Sequence, residues 1–194
     1  MPKDKTFNEE EVLQKATELF WTKGYNGTSM DELTQATGLS RSSIYDSFGN
    51  KYNFFNKSIR YYQQQQLDAV EKVVGKHNSP LKKIKALFQY AVEDILQDKQ
   101  RKGCLVVNTT TELANVDKEV AALVLDNMNG MEAMFAGWIK AGQQQGEINT
   151  TFSPQAIARF LYNGYSGLRV IGQTKQDKKT LEDIVKVTLS VLDK

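Results

Sequence analysis

The 194-residue chain contains one cysteine, one histidine and three prolines. With Cys104 alone, neither an intramolecular disulfide nor a cysteine-cluster metal site can form. His77 has no second ligand at metal-binding spacing. A glycine-rich phosphate loop is missing too, so a helical enzyme would have little to catalyse with. No apolar run approaches the roughly 20 residues that span a bilayer. Met1 to Lys5 are polar and lack the apolar core of a signal peptide. These absences predict a cytoplasmic protein that is not an enzyme, needs no cofactor or metal, and has no membrane partner.

A strong charge of one sign is also lacking. The formal net charge is +2, and within residues 1–60 eight cations face eight acids. Between Arg41 and Arg60, however, the cations Arg41, Lys51, Lys57 and Arg60 meet only Asp46. Nucleic-acid phosphates need cations only where the backbone passes, so such a local excess suffices for modest affinity. A second cluster, Lys82, Lys83 and Lys85, reads as a solvated helix face.

What the chain has in quantity is helical periodicity. Forty percent apolar and 25% charged residues over this length allow a real globular core. Pro80 and Pro154 each follow a serine, the order of a helix cap and a first-turn proline. Asn8 and Glu11 resemble a capping box before the stripe Val12, Leu13, Ala16, Leu19 and Phe20, which ends near Gly24. A longer helix with Phe54, Phe55, Ile59 and Tyr62 runs from Asn50 toward Val74. Further helices are predicted from Ser79, over Cys104 to Leu113, about Asp117 to Gln145, Ser153 to about Gln173, and Lys178 to Leu192. Leu105-Val106-Val107 is the only strand-like run, too isolated to pair, and is assigned to helix. The expected fold is all-α with about nine helices, divided into residues 1–50 and 51–194.

The segment Thr28 to Lys51 carries the functional signal. Met30 and Leu33 lie at helical spacing, Gly38 breaks the helix, and Leu39 plugs the turn. Ser40 can cap a second helix whose apolar face is Ile44 and Phe48. Its other face carries Arg41, Ser42, Ser43 and Tyr45, hydrogen-bonding groups that no core requires. This is the pattern of a helix-turn-helix, whose second helix enters the DNA major groove. Arg41 is the long donor fork suited to a guanine edge. Tyr45 and Lys51 have the reach to clamp phosphates, and Thr28 lies near a helix N-terminus that favours them.

Residues 9 to 56 closely resemble the TetR family of transcriptional regulators. The resemblance rests on Ala16 to Phe20 followed by Gly24-Tyr25, on Thr28-Ser29-Met30, on Gly38-Leu39-Ser40, and on Ile44-Tyr45 with Phe48 and Lys51. Thr34 and Thr37 depart from the family's usual alanines; their methyls can pack and their hydroxyls can bond back to the helix. The resemblance implies a repressor of a palindromic double-stranded operator, read through Ser40, Arg41, Ser42, Ser43 and Tyr45, with Thr28 and Lys51 on phosphates. It also implies a C-terminal domain that binds a small-molecule effector and forms a homodimer through the last two helices. Phe160, Gly164, Gly167, Leu168 and Ile171, with Leu181, Ile184, Val185 and Thr188, are the candidate interface, or else intramolecular core. Candidate pocket residues are Phe88, Cys104, Asn108, Glu112, Met128, Met131, Phe135, Trp138, Tyr162 and Tyr165.

Cys104 follows Lys99, Arg101 and Lys102 and opens a predicted helix, a setting that favours thiolate reactivity, unless the side chain is simply a small buried hydrophobe of the core. Gly-Cys-Leu-Val-Val-Asn also resembles a TetR subgroup in which some members sense electrophiles. Three readings therefore stand open: release by a pocket ligand, an oxidant or electrophile sensor through Cys104, and a constitutive architectural DNA-binding protein.

Overall fold

The structure, a computed structural model, describes residues 7–194, so the polar Met1–Lys5 segment lies outside the described residues. Among the described residues nine α-helices follow one another: α1 (Glu9–Lys23), α2 (Met30–Thr37), α3 (Arg41–Phe48), α4 (Lys51–Val74), α5 (Pro80–Gln97), α6 (Leu105–Leu113), α7 (Lys118–Gln144), α8 (Pro154–Thr174) and α9 (Lys178–Leu189). A short 3-10 turn, Ser190–Leu192, closes the fold, and no strand occurs among the described residues. Leu105-Val106-Val107 forms the first turn of α6.

Side-chain caps explain most of these boundaries. Asn50, Ser79, Asp117, Ser153 and Asp177 each accept from a backbone N–H in the first turn of the following helix. Asn8 likewise accepts from the Glu10 and Glu11 N–H groups, but Glu11 turns to Lys15 at 2.7 Å instead of completing a box. The full capping box is Ser29 with Glu32 at the start of α2. Lys23 and the Ser29 N–H and hydroxyl hold the Glu32 carboxyl down at about 2.

Two apolar clusters organise the molecule. The first joins Phe20, Leu33, Ile44, Phe48, Phe54, Phe55 and Ile59, all essentially inaccessible. It also takes in Leu105, Val106, Leu113, Val120 and Val124 from α6 and α7. The second gathers Ile84, Leu87, Phe88, Phe135, Ile139, Leu161, Leu168 and Leu181 from α5, α7, α8 and α9. α4 serves both, through Phe54 to Tyr62 at one end and Val70 and Val74 at the other. The head formed by α1–α3 is thus sealed onto the body by a shared core, so a shift in α6 or α4 is felt at both.

The last two helices correct part of the expected dimer surface. Leu168, Leu181 and Thr188 are buried within the protomer. A Cβ on Gly164 would meet the Thr188 methyl at 2.6 Å, so that glycine serves the approach of α9 to α8. Ile184 and Val185 are half-buried against the same core. Phe160, Gly167 and Ile171 instead face outward, joined by Val170 and by Val187, 72% exposed.

Candidate nucleic-acid interface and effector cavity

Gly38 adopts φ +74°, and its N–H closes the end of α2 on the Thr34 carbonyl at 2.9 Å. This left-handed residue turns the chain so that Ser40 can cap α3 through the Ser43 N–H. Ile44 and Phe48 anchor α3 from below, leaving Ser40, Arg41, Ser42 and Tyr45 exposed on one surface. Arg41 donates to Asp31 of α2 at 2.8 Å, a solvent-exposed pair that orients the fork and that a base edge can replace. The Ser40 hydroxyl lies 2.9 Å from those of both Ser42 and Ser43, so the serines satisfy one another. Thr34 and Thr37 donate back to the carbonyls of Asp31 and Leu33, as their hydroxyls allow.

The two flanking phosphate candidates differ. Lys51 opens α4 with its Nζ 4.3 Å from the Tyr25 ring centre. Partial burial there lowers its pKa from the ordinary value, against the opposing charges of Glu112 and Glu32. Thr28 is only 2% exposed and its hydroxyl donates to the Gly24 carbonyl at 2.7 Å. Its side chain is committed to the turn before α2 and is not available to a phosphate in this arrangement.

A cavity of about 70 Å³ lies among α4, α6, α7 and α8. α4 supplies Tyr62, Gln63, Gln66, Leu67 and Val70, and the start of α6 supplies Cys104, Val106 and Val107. Asn127 and Met131 come from α7, and Tyr162, Tyr165, Ser166 and Arg169 from α8. Of the expected pocket residues, Cys104, Met131, Tyr162 and Tyr165 line it, while Met128 lines an adjoining groove that shares Val107, Tyr162 and Ser166.

The other five lie elsewhere. Phe88 and Phe135 are fully buried, with ring centres 6.2 Å apart, and Phe88 meets the Tyr165 ring edge-on at 5.7 Å. Neither is part of the cavity lining, which Phe88 meets only through Tyr165. Trp138 packs edge-on against Phe135. Asn108 donates to the Lys102 carbonyl and accepts from Gln173, both at 2.7 Å, which fixes the chain leading into α6.

Glu112 is the largest correction. Its carboxylate accepts from the Tyr25 N–H at 3.1 Å and the Asn26 N–H at 2.8 Å. It therefore caps the turn between α1 and α2, where Gly24 sits at φ +74° and a Cβ would meet the Glu112 Oε2 at 2.7 Å. At the other end of α6, Lys102 binds Glu18 of α1 at 2.7 Å and lies 4.2 Å from the Trp21 ring centre. α6 is thus clasped to the head at both ends while its first turn lines the cavity.

Sequence reasoning missed Arg169, 3% exposed, whose Nη1 is bound to Asp94 and whose Nη2 donates to the Tyr165 hydroxyl at 3.1 Å. His77 only continues the turn after α4, and no group of three metal-ligating side chains exists among the described residues.

Comparison with known proteins accords with this geometry. Residues 12–57 match the model for bacterial regulatory proteins of the tetR family, and residues 80–188 match the tetracyclin repressor-like C-terminal domain. The chain belongs to the TetR family. It is 30% identical over its whole length to YezE, an uncharacterized HTH-type transcriptional regulator of Bacillus subtilis (strain 168), covering all of both chains. It is 26% identical to the HTH-type transcriptional repressor ComR of Escherichia coli (strain K12), over 95% of this chain and 89% of ComR. The fold matches a structure of the TetR family regulator CifR complexed with 26-bp operator DNA. That match has a TM-score of 0.82 and 23% identity, and covers 96% of this chain and 98% of that one. This TetR-family chain is a DNA-binding transcriptional regulator, not an enzyme. No helix among its described residues is long and apolar enough to cross a membrane.

Proposed function

We propose that the protein is a cytoplasmic homodimeric repressor, released from a palindromic operator when a small molecule enters the α4–α6–α7–α8 cavity. The supporting observation is that α6 lines the cavity with Val106 and Val107 while Glu112 and the preceding Lys102 hold α1 and its turn. Residues to 50 read DNA, and residues 51–194 bind the effector and dimerise. Two protomers joined through the exposed face of α8 and α9 present their α3 helices about one DNA turn apart. A ligand favouring the other spacing must bind the DNA-free form more tightly. The cavity argues against a constitutive architectural role.

Selection of operators from random duplexes, followed by sedimentation of the complex, tests this. One protomer per selected site would contradict the dimeric reading. On the selected operator, Arg41→Ala is expected to cost about 1–3 kcal/mol and relax preference at one base pair. Lys51→Ala should weaken all sequences alike and flatten the salt dependence. Uniform losses for both variants would contradict the base-reading role of Arg41.

Cys104 supplies a second route to the same end, because its side chain lines the cavity and an adduct would occupy the ligand's space. Cys104→Ser should keep release by a ligand that does not react with thiols and lose release by electrophiles or hypochlorite. An unchanged hypochlorite response in the serine variant would reduce Cys104 to packing.

A further inference from the structure

We infer that the effector is a small carboxylate or carbonyl compound whose oxygen accepts a hydrogen bond from the Arg169 Nε–H. This rests on the effector-cavity reading above and specifies its chemistry. Arg169 lines the cavity, is 3% exposed, and its Nε is buried without a hydrogen-bond partner. Its other nitrogens are engaged, Nη1 with Asp94 and Nη2 with the Tyr165 hydroxyl. Nε is sealed from contact with a water-sized group, so an acceptor reaches it only when the side chains beside it in the lining shift aside; one that does so removes the desolvation cost of an unbonded buried guanidinium N–H.

The rest of the lining selects in the same direction. It contains no aspartate or glutamate, and Arg169 is its only cation. With the one carboxylate nearby, Asp94, already paired to Arg169, the lining offers a cationic ligand no free counter-ion. Groups able to donate to an acceptor, though also able to accept, lie in the same lining: the hydroxyls of Tyr62, Tyr162 and Ser166 and the amide of Asn127. Burial first, and then the neighbouring Cys104, push the Tyr62 hydroxyl well above its ordinary pKa, so it adds no negative charge to the lining. The volume of about 70 Å³ admits several water-sized groups, which suits a compound of a few heavy atoms.

Isothermal titration of the full-length protein with propionate, butyrate, propionamide and propylammonium tests the assignment, with operator release followed in parallel by fluorescence anisotropy. Propionate or propionamide is expected to bind and propylammonium is not; preference between the first two decides carboxylate from carbonyl. Arg169→Lys can keep an ammonium beside Asp94 but has no Nε, and should weaken binding at least tenfold. Tyr62→Phe removes a donor with little change of shape and provides a second variant should Arg169→Lys fold poorly; it is expected to weaken binding severalfold. Undiminished binding in both Arg169→Lys and Tyr62→Phe, or preferred binding of propylammonium, overturns the inference. Binding that needs Arg169 but leaves the operator occupied supports this ligand chemistry and counts against the repressor-release reading. Release by purely apolar compounds with no dependence on Arg169 does the reverse.

Discussion

Gly167→Glu is expected to leave a folded protomer that no longer dimerises, whereas Leu168→Glu is expected to unfold the protein. The two residues are neighbours on α8, yet they face opposite ways. Leu168 is 1% exposed within the core of α5, α7, α8 and α9. A carboxylate there has no cation to meet, and an uncompensated buried charge costs on the order of 3–5 kcal/mol. Against a typical total stability of about 5–15 kcal/mol, this should lower Tm by roughly 6–20 °C or prevent folding. A Cβ on Gly167 meets nothing within 4 Å, and Phe160, Val170 and Ile171 flank it on an exposed apolar face. Glutamate at 167 suits the helix better than glycine does, so thermal stability of the protomer should hold. Sedimentation should then show a monomer, and operator affinity should fall about 100-fold or more as bivalent attachment is lost. A dimeric Gly167→Glu protein with full operator affinity would move the interface away from this face.

That contrast also marks how far the sequence could be read. The head was legible because its signals are local: a break at Gly38, a cap at Ser40, and two apolar anchors, Ile44 and Phe48, on one short helix. The cavity was not, because four helices far apart in sequence build it, and periodicity says that a residue faces inward without saying what it meets. Phe88 and Phe135 therefore read as pocket when they are buried core outside its lining. Asn108 and Glu112 read as polar hooks when they hold backbone groups of other segments. Arg169 left one usable signal, a cation directly after Leu168 on the inward side of α8, four residues from Tyr165. Charged side chains are seldom buried without a partner or a task, which makes such a position informative.

Glu112→Ala should separate ligand binding from DNA release. The carboxylate sits on α6 and holds the Tyr25 and Asn26 N–H groups of the turn that leads into α2. α2 in turn orients Arg41 through Asp31. Removing the carboxylate frees two donors, one of them partly buried, and should cost about 1–3 kcal/mol of stability. The cavity loses nothing, since Glu112 is not part of its lining. A ligand should therefore bind the variant with nearly unchanged affinity in the absence of DNA. What changes is the coupling: by reciprocity, the factor by which ligand weakens operator binding equals the factor by which operator weakens ligand binding. With the clasp gone, both factors should fall toward one, leaving a repressor that binds effector yet stays on DNA. Titrating ligand with and without saturating operator measures the factor directly. A wild-type coupling factor in Glu112→Ala would mean that the change travels instead through the Lys102–Glu18 pair or through α4, whose Phe54 and Phe55 lie in the core of the head while its Tyr62 and Val70 line the cavity.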